Sequence, residues 1–155
     1  MNPIFETFIL SLLPIVELRG GIPYGILQGL DPLLVFFIAI VANILIIPII
    51  YFFLEHLHKV FNRLNWYKKI FHSVIERGRS KLEKNIGTKK EAIALFLLVA
   101  IPLPGTGVYT GTLLAWFFGI KKRIAYLSLV CGVIVAGIIV TLLVLIGKEG
   151  IKLLA

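Results

Sequence analysis

Glu17 and Arg19 are the residues of this sequence with the clearest potential for chemistry. They lie in the stretch ELRGGIP, between two short apolar runs. Ionisable side chains at membrane depth are costly and are therefore candidates for a functional site. A buried carboxyl group can carry a proton, and a guanidinium group offers a planar set of donors that suits a phosphate. The pair predicts a proton-binding or anion-binding site; the alternatives are a structural ion pair or a shallow, hydrated position.

A second stretch, IPLPGTGVYT at residues 101–110, breaks another apolar run. Prolines end a helix, and glycines allow backbone N–H groups to come close to a ligand. Irregular backbone within a membrane is tolerated where protein buries it or where it lines a cavity. The alternative is a kink that serves helix packing alone. Together the two stretches predict one binding site, formed by Glu17, Arg19, Gly20, Gly21, Pro23, Pro102, Pro104, Gly105, Thr106, Gly107, Tyr109 and Thr110.

The sequence carries no recognisable catalytic or metal-binding motif. His56 and His58 are close in sequence, but no third ligand lies near them in the chain. The HExxH, P-loop and GxSxG patterns are also missing. We therefore expect no enzyme activity, no catalytic residue, no metal and no cofactor.

The composition is that of an integral membrane protein. Of 155 residues, 59% are hydrophobic and 15% are charged, and the mean hydropathy is +0.98. Two apolar runs, 32–55 and 124–146, are long enough to cross a hydrocarbon core of about 30 Å at about 1.5 Å per residue. Asp31 and Pro32 predict the start of the first of these helices, as N-cap and first helical residue.

Two further apolar regions, 3–30 and 91–119, contain the breaks and are interrupted too soon for a full helical crossing. Residues 56–90, between the two halves, carry ten Lys or Arg and two Glu, and the basic cluster 121–123 follows the second interrupted region. Cytoplasmic loops of membrane proteins are enriched in basic residues. Both basic groups lie on the cytoplasmic side if 91–119 enters the membrane and returns. We therefore predict that both interrupted regions are re-entrant hairpins.

The predicted fold is all-α, a single membrane domain over 1–155 built as an inverted repeat. Each repeat, 1–55 and 91–147, consists of a re-entrant helical hairpin followed by a transmembrane helix. The linker 56–90 has apolar residues at helical spacing and a basic opposite face, which predicts an amphipathic helix on the cytoplasmic membrane surface. A basic cluster can also bind nucleic acid. In a multi-pass protein of the cell (plasma or inner) membrane we expect no nucleic-acid partner.

The motif ELRGGIP, followed in the second half by PLPGTGVYTGTLLA, resembles the small multidrug export protein family, a compact branch of the DedA/VTT-like membrane protein superfamily. The resemblance covers nearly the whole chain. It implies two re-entrant hairpins that face each other, with the family's acidic and arginine positions at Glu17 and Arg19. DedA-like proteins are linked to the movement of polyprenyl-phosphate lipids, to lipid scrambling and to proton-dependent resistance to cationic compounds. Larger DedA members have further charges in the second hairpin, whereas this chain has none between Glu91 and Lys121.

Three functions are consistent with these features, and the first is our prediction. It is a transporter that moves an anionic lipid phosphate, such as a polyprenyl-phosphate carrier, and that is driven or gated by protonation of Glu17. The second is proton-coupled export of small, often cationic molecules, with Arg19 as the counter-ion of Glu17. The third is a non-transporting membrane scaffold. Because two spanning helices enclose little space, we also expect a homodimer, with membrane lipids, above all anionic ones, as partners.

Overall fold

The structure is a computed structural model, and it describes residues 2–61, 89–103 and 105–154. Those residues form six helices and no strand, so the predicted all-α class is confirmed. Most of the predicted linker helix lies outside the described residues. The helices are α1 (Pro3–Leu12), α2 (Glu17–Leu27), α3 (Pro32–Phe61), α4 (Lys89–Ala100), α5 (Val108–Phe117) and α6 (Lys122–Leu154).

Local sequence signals set the helix starts in the first half of the chain. The Asn2 side chain accepts a hydrogen bond from the backbone N–H of Ile4 at 3.0 Å, and α1 begins at the next residue, a proline. In the same way, Asp31 Oδ1 accepts from the backbone N–H of Leu34 at 3.0 Å, and α3 begins at Pro32 as predicted. Both caps satisfy a backbone donor that the first helical turn leaves unpaired.

The two long helices extend further than the apolar runs alone indicated. The helix predicted over 32–55 continues to Phe61, and the helix predicted over 124–146 runs from Lys122 to Leu154. Pro48 lies inside α3 and does not end it. Polar and basic residues at the ends of both helices have ordinary helix propensity, so the helices continue beyond the apolar segment.

Two pairs of short helices pack against these long helices in the same order. Helices α1 and α2 contact each other and α3, and α4 and α5 contact each other and α6. The second short helix of each pair also contacts the long helix of the other half: α2 lies against α6, and α5 lies against α3. The apolar core lies where these elements meet and includes Ile22, Val35, Ile47, Val108, Leu129 and Val133.

Small residues allow α1 and α2 to pack closely. A Cβ atom added at Gly25 would lie 2.8 Å from Thr7 Oγ1, and one added at Gly21 would lie 3.1 Å from Ser11 Cβ. The hydroxyl groups of Thr7 and Ser11 each donate to the backbone carbonyl four residues earlier, at 2.8 Å. Paired small residues four positions apart are a common way for membrane helices to approach each other.

The outer surfaces of α3 and α6 are apolar. On α3 the exposed side chains Phe37, Val41, Leu45 and Ile49 follow one another at intervals of four residues and so share one helix face. The windows Pro32–Leu57 and Lys122–Gly150 have mean hydropathies of 3.1 and 3.2 and are long enough to cross a membrane. Because a soluble protein rarely exposes such continuous apolar faces, the surroundings of these helices are lipid.

Candidate functional site

The two interrupted regions meet inside the protein. The first break, residues 13–16, separates α1 from α2, and the second break, residues 101–107, separates α4 from α5. Residues of the first hairpin bind the backbone of the second break, and one residue of the second hairpin binds the end of α1. We call this region the hairpin junction. It contains Glu17, Arg19, Leu103, Thr106, Gly107 and Tyr109.

The Glu17 carboxylate lies at the start of α5. Glu17 is 6% exposed, and its Oε1 accepts a hydrogen bond from the backbone N–H of Tyr109 at 3.4 Å. The N-cap residue of α5 is Gly107, which has no side chain to accept from the first-turn N–H groups. Glu17 therefore caps α5, although it lies 92 residues before Tyr109 in the chain.

Helix α2 also begins at Glu17, so this carboxylate lies at the start of two helices. The N-terminal end of a helix carries a partial positive charge, which favours an anion. The backbone of Glu17 has φ +50°, a left-handed conformation that costs free energy for a residue with a side chain. Strained backbone of this kind persists where the surrounding contacts hold it, and here they direct the carboxylate to α5.

Arg19 binds the carbonyl groups of the second break. Its guanidinium donates to the backbone oxygens of Leu103 and Thr106, and Nη2 also lies 3.2 Å from Thr106 Oγ1. Both carbonyls belong to the loop after α4, and the Leu103 oxygen also accepts from the backbone N–H and the hydroxyl group of Thr106. In the described part of the chain no ion pair joins Arg19 to Glu17. Each charge instead compensates backbone groups of the opposite hairpin.

The end of α1 is satisfied by side chains from other helices. Tyr109 Oη donates to the backbone oxygen of Leu12, the last residue of α1. Asn43, fully buried in α3, donates through Nδ2 to the backbone oxygens of Ser11 and Ala39, each at 3.0 Å. Sequence reasoning did not include Asn43 among the site residues. Its isolation as a strongly polar side chain within a long apolar run is the signal that could have found it.

Two glycines shape the second break. A Cβ atom at Gly107 would lie 2.7 Å from the carboxyl carbon of Glu17, so a glycine is required for Glu17 to reach α5. Gly105 has φ +80°, which is strained for residues with a side chain, although a Cβ atom added there would meet no other atom within 4 Å. The hydroxyl groups of Thr106 and Thr110 donate to the backbone oxygens of Leu103 and Gly105, at 2.8 Å and 2.9 Å. These two hydrogen bonds hold the loop of the second break in a compact turn before α5.

The other predicted site residues that the structure describes take no part in the side-chain hydrogen bonds of this junction. Gly21 packs against Ser11, and a Cβ atom at Gly20 would meet the side chain of Val16. Pro23 lies inside α2. Pro102 is half-buried in the second break, and Pro104 lies outside the described residues. Tyr24, also on α2, donates its hydroxyl to the Glu6 carboxylate within the first hairpin.

Fold, surface and junction together define a small helical membrane protein in which two broken helical segments meet between two spanning helices. Residues 17–139 match the family model described as "Putative small multi-drug export protein", and this match covers most of the chain, including Glu17, Arg19 and the second break. The chain therefore belongs to this family, and the predicted family resemblance is confirmed. The wider relationship to DedA/VTT-like proteins stays a prediction. No curated protein and no solved structure matches the chain.

Proposed function

We propose that this protein exports small cationic molecules across the membrane and that Glu17 couples export to proton uptake. The observation that carries the proposal is the position of the Glu17 carboxylate at the starts of α2 and α5. The family description names small-molecule export, which favours this function over the transfer of an anionic lipid. A homodimer remains part of the proposal, because two spanning helices enclose little space for a route.

The proposed architecture places both hairpins within the membrane as re-entrant segments of an inverted repeat. The four short helices have 10, 11, 12 and 10 residues. At about 1.5 Å per residue, each reaches only about half of a 30 Å hydrocarbon core. The repeated order of short, short and long helices supports the same architecture. In it the cytoplasmic side carries the predicted linker 56–90 and the basic cluster 121–123, as the positive-inside rule expects.

Thiol labelling in intact cells tests this topology. Cys131 is replaced, and single cysteines are placed at Lys90 and Lys122, which flank the second hairpin. For a re-entrant hairpin, we expect a membrane-impermeant reagent to leave both positions unlabelled until the cytoplasm is opened. Labelling of one position from outside and of the other from inside would show that α4 and α5 together cross the membrane. That result would remove the inverted repeat.

The geometry at the junction bears on the charge of the substrate. In transporters with broken helices, the positive ends of the half-helices commonly bind an anionic group of the substrate. In this chain the position at the start of α5 is taken by the chain's own carboxylate, Glu17. Arg19 directs its donors to the Leu103 and Thr106 carbonyls. Both features leave few free hydrogen-bond donors at the junction for a phosphate. The Glu17 carboxylate, by contrast, attracts a cation.

Protonation of Glu17 provides the coupling step. A carboxylate caps a helix start better than a neutral carboxyl group does, because the helix end is partly positive. A proton on Glu17 therefore weakens the contact between the first hairpin and α5. Among the described residues, the titratable groups that interact with Glu17 are Arg19 on α2 and Tyr109 on α5. Proton binding on one side and release on the other would alternately loosen and tighten the junction.

Transport by the purified protein decides between the substrate classes. The protein is reconstituted in vesicles, and the efflux of a fluorescent lipophilic cation is measured with and without an imposed pH gradient. A parallel assay follows the transfer of a labelled short-chain polyprenyl phosphate between leaflets. We expect gradient-dependent efflux of the cation and no lipid transfer above that of protein-free vesicles. Lipid transfer without cation efflux would overturn the proposal in favour of the lipid carrier.

A further inference from the structure

A cleft separate from the hairpin junction lies between the second half of α3 and the start of α6. Its volume is about 730 Å³, and it is open at the surface. Its walls are apolar and include Ile47, Pro48 and Phe52 of α3 and Leu127 of α6. None of its lining residues belongs to the junction. Because it opens on the apolar outer surface of the two spanning helices, lipid is the medium that reaches it.

One end of the cleft is polar and carries net positive charge. Its lining there includes Glu55, Lys122, Arg123 and Tyr126. The Lys122 ammonium pairs with the Glu55 carboxylate and lies 5.9 Å from the centre of the Tyr51 ring. Arg123 is exposed, and among the described residues no acid pairs with it. Two cations and one anion therefore leave this end of the cleft with one positive charge in excess.

Two further features lie at the same polar end of the cleft, the start of a helix and an aromatic side chain. Helix α6 begins at Lys122, so the first N–H groups of a long helix lie beside the two cations. The N-terminal end of a helix favours an anionic group. The aromatic ring of Tyr51 forms part of the wall beside the Lys122 ammonium, whereas its hydroxyl is buried away from the cleft.

We propose that this cleft binds one anionic phospholipid, with an acyl chain along the apolar walls and the phosphate beside Lys122 and Arg123. Basic pockets between membrane helices on the cytoplasmic side are suited to anionic headgroups. A cationic substrate is disfavoured there by the excess positive charge. A phosphate ion alone would leave the apolar part of the cleft unfilled. The proposal is independent of the exporter function, because it concerns a bound lipid and not a transported molecule.

Lipid titration of the purified full chain tests the proposal. The protein in neutral detergent is titrated with phosphatidylglycerol, with phosphatidylcholine and with inorganic phosphate, and bound lipid is counted by native mass spectrometry. We expect phosphatidylglycerol to bind with one-to-one stoichiometry and to raise the unfolding temperature, and we expect no comparable effect from the other two. Equal binding of phosphatidylcholine, or equal protection by inorganic phosphate, would overturn the proposal.

Charge-neutralising variants locate the site. Arg123→Gln changes an exposed side chain, so the fold should persist, and we expect the affinity for phosphatidylglycerol to fall about fivefold. For Lys122→Gln combined with Arg123→Gln we expect a fall of about 25-fold. Lys148→Gln, which removes a basic charge near the other end of α6, is the matched control and should leave the affinity unchanged. Equal loss in the control, or full affinity in Arg123→Gln, would overturn the assignment.

Discussion

Glu17→Gln is expected to reduce proton-driven export of a cationic dye to the level of protein-free vesicles while the protein stays folded. Glutamine has the shape of glutamate, and its side-chain oxygen can still accept from the backbone N–H of Tyr109 at the start of α5. It carries no negative charge and cannot take up a proton at physiological pH. The variant should therefore fold with the junction in its weaker, uncharged form and lose the coupling. The measurement is dye efflux as a function of the imposed pH gradient.

Glu6→Gln is the matched control for this prediction. It removes a carboxylate from α1, where Glu6 accepts a hydrogen bond from Tyr24 within the first hairpin. Export by Glu6→Gln should keep the pH dependence of the unchanged protein. If Glu17→Gln exports the dye with an unchanged response to the gradient, Glu17 is not the coupling group. If both variants lose export equally, the loss reflects charge removal in the first hairpin as a whole.

Gly107→Ala is expected to destabilise the protein by about 1–3 kcal/mol, the usual cost of overpacking. The added methyl group would lie 2.7 Å from the carboxyl carbon of Glu17, well inside van der Waals contact. Either Glu17 leaves its position at α5, or the second break moves away from the first hairpin. Both responses expose backbone groups that the junction now satisfies. The measurement is the thermal unfolding midpoint in detergent, with Gly147→Ala as a control in α6, where no atom lies within 4 Å.

A second substitution separates this clash from a general effect on the loop. Glu17→Gly removes the carboxylate and relieves the backbone strain at φ +50°, at the cost of the α5 cap. If the clash with Glu17 is the cause, Gly107→Ala should add little further destabilisation in the Glu17→Gly background. Contacting residues show such non-additivity, whereas independent sites add within about 0.5 kcal/mol. Full additivity would show that Gly107 is required for another reason.

The sequence by itself determined the class of protein, the presence of the two long helices and the start of the first of them. Its composition identified a membrane protein, and the two long apolar runs became α3 and α6. Asp31 followed by Pro32 marked the start of α3, because capping depends on residues within one turn. The PLPGTG stretch marked the second break, whereas ELRGGIP forms the start of α2 and the first break lies just before it, at residues 13–16. These features are local, so they could be inferred from neighbouring residues alone.

Sequence reasoning grouped the site residues more broadly than the structure does. It included Gly21 among the binding residues, and in the structure Gly21 packs against Ser11. The sequence alone does not distinguish a glycine that faces a ligand from a glycine that packs against a neighbouring helix. Which face of α2 lies against α1 depends on helix packing, and the sequence of α2 alone does not fix it.

Only the tertiary structure decided what Glu17 and Arg19 bind. Two opposite charges two residues apart suggest an ion pair, but the carboxylate caps α5 and the guanidinium binds the carbonyls of the second break. These partners are 92 and 84 residues away in the chain. The physical reason is that the start of α5 leaves backbone donors unpaired, and that the loop of the second break presents carbonyl oxygens outside any helix. The folding of the second break against the first hairpin brings those groups closer to the two charges than the charges are to each other.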